Sequence, residues 1–121
     1  MNIIAILGHD KGRRDDVEAQ IRACPGLSPN VKITQYATSR EHVRLARPAA
    51  PCAVFAVIDG ENALIDASKA SAWGEGYPVV MVATHPQYAM EGIRQKVRHY
   101  ILFPLEREEI AEALKRTEVI P

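Results

Sequence analysis

The chain has 121 residues, 47% of them hydrophobic and 25% charged, which suits one domain whose core needs no covalent staples. Its 15 basic and 15 acidic residues cancel, so net charge gives no argument for direct contact with nucleic acid, which asks for a basic surface. Two cysteines without CxxC or metal-ligand spacing, Cys24 and Cys52, read as free, mostly buried thiols of a reducing compartment. The opening MNIIAILGHD lacks the charge and cleavage pattern of a signal peptide, and the apolar runs fall far short of a span of about 20 residues. The expected location is the cytoplasm, away from membranes.

Residues 2–7 form a continuous apolar run of strand length, ended by Gly8-His9-Asp10. A run without alternation predicts a strand covered on both faces. A helix is expected over 13–24, with Val17, Ile21 and Cys24 as its apolar stripe and Asp15 and Asp16 near its positive N-terminal end. Residues 31–36 predict a more polar strand nearer the edge. Ser39 then stands as N-cap of a short helix over 40–46. The most apolar run, 52–58, should be the central strand. A weaker helix follows over 63–73, with Leu64, Ala67, Ser68 and Ser71 as its packing face.

The best-written stretch is 78–114: a strand over 78–83, a helix over 86–96 burying Met90, Ile93 and Val97, a strand over 99–103 stopped by Pro104, and a last helix from Glu106 packing Ile110 and Leu114. Residues 117–121 read as a tail or the start of a linker. Strands alternating with helices predict one α/β domain over 1–121. It should be flavodoxin-like, with a five-stranded parallel sheet in the order 2-1-3-4-5 and helices on both faces. The functional edge of such a sheet lies at the carboxyl ends of the strands. Here Gly8-His9-Asp10, Ala37-Thr38, Asp59-Gly60, Ala83-Thr84-His85 and Phe103-Pro104 write that rim.

PVVMVATHPQYAMEGI and HYILFPLEREEIAEAL resemble the fourth strand and helix and the fifth strand and helix of response-regulator receiver domains, especially those preceding LytTR DNA-binding domains. An active receiver carries a phosphoacceptor aspartate after strand three, acidic residues after strand one for Mg²⁺, a Thr or Ser after strand four, and a Lys before the proline of strand five. These groups neutralise the charge of phosphoryl transfer. On this resemblance the acidic pair maps onto Gly8-His9, or onto His9-Asp10. The acceptor maps onto Val57, or onto Asp59 if strand three is extended. Ala83 takes the Thr/Ser position with Thr84 adjacent, and Phe103 replaces the lysine before Pro104. The resemblance therefore implies a pseudo-receiver with no catalytic residues, no metal site and no cofactor, Mg²⁺ included. Asp59 is expected to cap the helix after strand three, with phosphoacceptor as its alternative role.

The resemblance also implies function on the face built by the helix over 86–96, the fifth strand and the last helix. Tyr88, Glu91, Arg94, Arg98, Tyr100 and Arg107 should lie there, with Tyr88 and Tyr100 as exposed aromatics. That face would bind a protein partner or a second copy, forming a dimer, in the regulatory domain of a transcription regulator. A second resemblance joins ILGHDKGRRDDV and Tyr36-Ala37-Thr38 to the N-terminal motifs of methylglyoxal synthase. It implies a phosphate-ligand lyase built on Asp10, Asp59 and Thr38, but Ser39-Arg40 stands where that family has the rest of its phosphate loop. A small-molecule sensor using His9, Asp59 and His85 is the third reading. No GxGxxG, P-loop, GxSxG or HExxH is present.

Overall fold

The structure is a computed structural model that describes residues 3–38, 40–41, 51–73, 78–94 and 97–121. Strands β1 (Ile3–Leu7), β2 (Lys32–Tyr36), β3 (Ala53–Ile58), β4 (Val79–Ala83) and β5 (His99–Leu102) form one parallel sheet in the order β2-β1-β3-β4-β5, as the sequence predicts. Helices α1 (Lys11–Arg22), α2 (Glu61–Trp73), α3 (Ala89–Arg94) and α4 (Arg107–Arg116) connect and cover it. A 3₁₀ turn, Pro86–Tyr88, leads into α3. Residues 40 and 41 are helical; the rest of the helix expected over 40–46 lies outside the described residues.

Strand alternation divides the core between the two faces of the sheet. Ile4, Ile6, Phe55, Val57, Val80, Val82 and Ile101 meet Val17 and Ile21 of α1 and Ile110, Ala113 and Leu114 of α4. Ala5, Leu7, Val54, Ile58, Met81 and Ala83 meet Ala63 and Ala67 of α2 and Tyr88 of the 3₁₀ turn. All six residues of β3 are buried, because both faces of the central strand are covered. Each fully buried Ile, Phe or Val there is worth about 1.5–3 kcal/mol relative to exposure.

Several local expectations are corrected. α1 begins at Lys11 rather than Arg13, because the Asp10 side chain caps it by accepting from the N–H groups of Gly12 and Arg13. Asp15 consequently lies past the first turn, where it accepts from Lys11 Nζ at 2.8 Å. In the turn after β2 the Thr38 Oγ1 also accepts from the Glu41 N–H at 3.1 Å, capping that turn; Ser39, the expected N-cap, lies outside the described residues. The tighter winding of the 3₁₀ turn changes the phase of the helix that follows. Tyr88 is thereby turned inward, 9% exposed, and Met90 outward, 65% exposed, the reverse of both expectations. Residues 117–121 fold back onto the core: Thr117 and Ile120 are buried, and Thr117 Oγ1 donates to the carbonyls of Ala113 and Leu114. Cys24 and Cys52 are free and half-buried against the α1/α4 face, and burial pushes both thiols up. No helix among the described residues is long and apolar enough to cross a membrane.

Candidate functional site at the carboxyl edge of the sheet

The strand registers bring the candidate residues to one edge. Leu7 pairs with Tyr36 and Ala56, and Ala83 pairs with Ile58 and Leu102. The ladder runs one step further through Gly8 N–H to Tyr36 O at 3.0 Å, Thr84 N–H to Ile58 O at 3.0 Å and Phe103 N–H to Ala83 O at 2.9 Å. Gly8, Asp59, Thr84 and Phe103 therefore begin the loops of four adjacent strands, which is the rim expected from the sequence.

Their side chains, and those next to them, differ in what they touch. A Cβ on Gly8 would stand 2.8 Å from the Val57 Cβ, so the space between β1 and β3 is closed at this level. Val57 itself is buried in the α1/α4 core. His9 is exposed and its Nε2 lies 3.8 Å from Asp66 on α2. Asp10 holds the N-terminus of α1, and Thr38 caps the turn after β2. Asp59 is half-exposed, one residue past β3, with no hydrogen bond from its side chain to another described residue. It does not take the N-cap position assigned to it: α2 starts one residue later, and the Gly60 carbonyl accepts from the Leu64 N–H at 3.1 Å.

At the other end of the rim, Ala83 is fully buried against the α2/α3 face, while Thr84 lies beyond it beside Phe103. A one-residue step reverses side-chain direction in a strand. Thr84 Oγ1 lies 2.7 Å from His85 Nδ1, and the Tyr100 hydroxyl donates to the His85 carbonyl at 3.0 Å. Burial pushes the Tyr100 phenol up. Phe103 packs on the α1/α4 core, and the Arg13 guanidinium lies over its ring, 4.8 Å from the centroid. Arg13 Nε is also 3.9 Å from Asp10 Oδ2. The Phe103-Pro104 peptide is cis.

Among the described residues no group of three or more His, Cys, Asp and Glu side chains is placed to hold a metal ion. Mg²⁺ asks for several hard oxygen donors in near-octahedral order. Position 8 has no side chain, position 57 is a valine, and one oxygen of Asp10 is taken by the N-terminus of α1. The trio Asp10, Asp59 and Thr38 is likewise not gathered into one site. Thr38 follows β2 and Asp59 follows β3, two strand spacings, roughly 10 Å, apart.

Sheet order, parallel pairing and the placement of the helices now decide the architecture. The fold is that of response-regulator receiver domains. The receiver domain of NtrX from Brucella abortus superposes with a TM-score of 0.77 at 18% identity, over 94% of this chain and 96% of that one. A response regulator receiver protein from Burkholderia phymatum gives 0.76 at 13% identity, over 100% and 98%. The chemotaxis protein CheY4 of Vibrio cholerae gives 0.74 at 15%, over 97% and 98%. No protein-family model matches the sequence, and no curated protein matches it. At these identities the likeness speaks for the fold alone.

On the receiver fold, the face of α3, β5 and α4 is the second candidate region. Arg98 and Arg107 are exposed and Glu91 and Tyr100 half-exposed; Arg94 closes α3, and Tyr88 is buried. Leu102 is 38% exposed on the edge strand, and with Met90 it adds apolar surface that the sequence did not assign. Arg13 was missed as well. Its place over Phe103 joins two ends of the chain, and the only local sign was the arginine-rich start of α1. A cleft of about 670 Å³ lies beside this pair, lined by Arg13, Asp16 and Gln20 of α1 and by Thr84, Phe103 and Leu105.

Proposed function

We propose that this chain is a receiver-like signalling domain that acts through protein contacts and not through phosphoryl transfer. The observation that carries the reading is the contact of Gly8 with Val57. Position 8 has no room for a carboxylate above β1, and its neighbour on β3 is apolar. Phosphoryl transfer relies on charge neutralisation at the equatorial oxygens. Here the lysine position holds Phe103, and the nearby cation Arg13 lies over its ring.

In this reading the output face is α3, β5 and α4, with Met90, Leu102, Arg98 and Arg107 available to a protein partner or a second copy. Apolar residues ringed by charge suit such a contact. The resemblance of the two C-terminal motifs further supports a regulatory domain of the LytTR-regulator type, working in the cytoplasm in two-component signalling and transcription regulation, with neither nucleic acid nor membrane touched by this domain. The phosphate-ligand enzyme has less support, since Asp10 and Thr38 each spend a side-chain oxygen on a helix cap.

Incubation with acetyl phosphate and Mg²⁺, followed by intact-mass spectrometry, tests the reading. The expected result is no adduct. A stoichiometric phosphoryl adduct abolished by Asp59→Asn would overturn it and make Asp59 a working acceptor.

A further inference from the structure

The cleft beside Phe103 joins part of the rim, Thr84, His85, Phe103 and Pro104, to the surface of α1. Its volume of about 670 Å³ falls within the roughly 300–1,000 Å³ usual for small-molecule sites. It opens at the carboxyl ends of β4 and β5, the edge where open parallel sheets place ligands. One wall is the α1 surface at Arg13, Asp16 and Gln20. The other is an apolar shelf of Phe103, Pro104 and Leu105, with Thr84 and His85 above it.

Arg13 decides the chemistry. Its guanidinium lies over the Phe103 ring, and its nearest described carboxylate is Asp10, 3.9 Å from Nε. The Oδ1 of that carboxylate is already committed to the N-terminus of α1. No hydrogen bond joins the Arg13 side chain to another described residue. A guanidinium held over an aromatic face by cation–π attraction keeps N–H donors to offer a carboxylate. Asp16 on the wall, and Asp10 3.9 Å from the Arg13 Nε, oppose a second negative charge beside Arg13. That electrostatic balance favours a singly charged ligand over a phosphate ester.

We propose that this cleft binds a small organic monocarboxylate with a flat apolar body. The carboxylate meets Arg13, with the Thr84 hydroxyl and His85 beside it, and the body lies on the Phe103–Leu105 shelf. The proposal does not depend on whether Asp59 accepts a phosphoryl group.

Benzoate is the probe, titrated into the full ¹⁵N-labelled chain and followed by amide chemical shifts. The expected result is saturable shifts at Arg13, Thr84, Phe103 and Leu105, with a dissociation constant on the order of 1 mM for so small a ligand. Benzyl alcohol and inorganic phosphate should not reproduce them. Arg13→Gln should weaken binding at least about tenfold, the loss of one charge-assisted contact. Phe103→Leu should weaken it while leaving the dispersion of the remaining spectrum unchanged. Absence of saturable shifts up to about 20 mM benzoate would overturn the proposal, since even weak fragments show there. Equal affinity in Arg13→Gln, or phosphate binding as well as benzoate, would overturn it too. A short acidic peptide binding the same amides more tightly than benzoate would assign the cleft to a protein partner instead.

Discussion

Gly8 and Val57 show how closely two neighbouring strands can approach at a single position. Glycine at position 8 is required by close approach, because the Cβ of any other residue would meet the Val57 Cβ at 2.8 Å. Gly8→Ala should therefore destabilise the chain by about 1–3 kcal/mol, as overpacking does in a well-filled core. Val57→Ala should not rescue it, since alanine keeps the offending Cβ; Val57→Gly should relieve the clash. Urea unfolding of the single and double variants checks both statements. The sequence showed a glycine and a valine near the expected site. It did not show that they touch, because register fixes that contact, and the sequence left the acceptor position open between Val57 and Asp59. Phe103 stands where the resemblance implies a lysine, but its contact with Arg13 was not legible in the sequence.

At the scale of elements, the starts of the following turns engage two of the rim's polar side chains, Asp10 and Thr38. Asp10 accepts from two backbone N–H groups at the start of α1, a position where such residues are favoured because the first turn leaves its donors unpaired. Asp10→Ala should cost about 1 kcal/mol, and Asp10→Asn only a few tenths. Thermal or urea unfolding separates the two. A carboxylate that bound Mg²⁺ would instead make the asparagine variant more stable by removing repulsion, and would link stability to Mg²⁺ concentration. Elements themselves were well marked in the sequence: each strand lies within one residue of its apolar run. Their ends were less so. The 3₁₀ turn at Pro86–Tyr88 is a tertiary outcome, and its effect on Met90 and Tyr88 could not be read from a 3.6-residue period.

Across the whole molecule, ionisable groups tie the sheet to its helices and set a pH range for stability. Gln35 of β2 donates to Asp15 and Glu18 of α1 at 3.0 Å each and accepts from Arg14 Nε at 3.1 Å. Hydrogen bonds from Gln35 and then Arg22 hold the Glu18 carboxyl below its usual value, and those from Lys11 and then Gln35 do the same for Asp15. Folded values below the unfolded ones mean that the unfolded chain binds more protons in acid. Their stabilisation is present above the ordinary carboxylate range, about pH 4.5, and is lost as pH falls below it. Asp15 is exposed, so salt screens its share, and Glu18 should carry more of the effect. Burial of Cys24, Cys52 and Tyr100 acts at the other limit. Their raised values favour the neutral forms in the folded chain, so that contribution is present below about pH 9 and lost above it. Unfolding free energy measured by urea should show a plateau between these limits. Gln35→Ala should lower the plateau and flatten the acid flank while leaving the alkaline flank unchanged.

The sequence by itself determined the strand and helix order, the parallel sheet and the rim on which candidate residues stand. Those follow from apolar periodicity and the right-handed crossover, which are local or general rules. Only the tertiary structure decided what each rim residue does. It closed position 8 against Val57, gave Asp10 and Thr38 to helix ends, and put Asp59 ahead of the cap. It also laid Arg13 over Phe103 beside an open cleft. The physical reason is distance in the chain: residues 8 and 57, or 13 and 103, meet only after the sheet has fixed its register and α1 has docked across it.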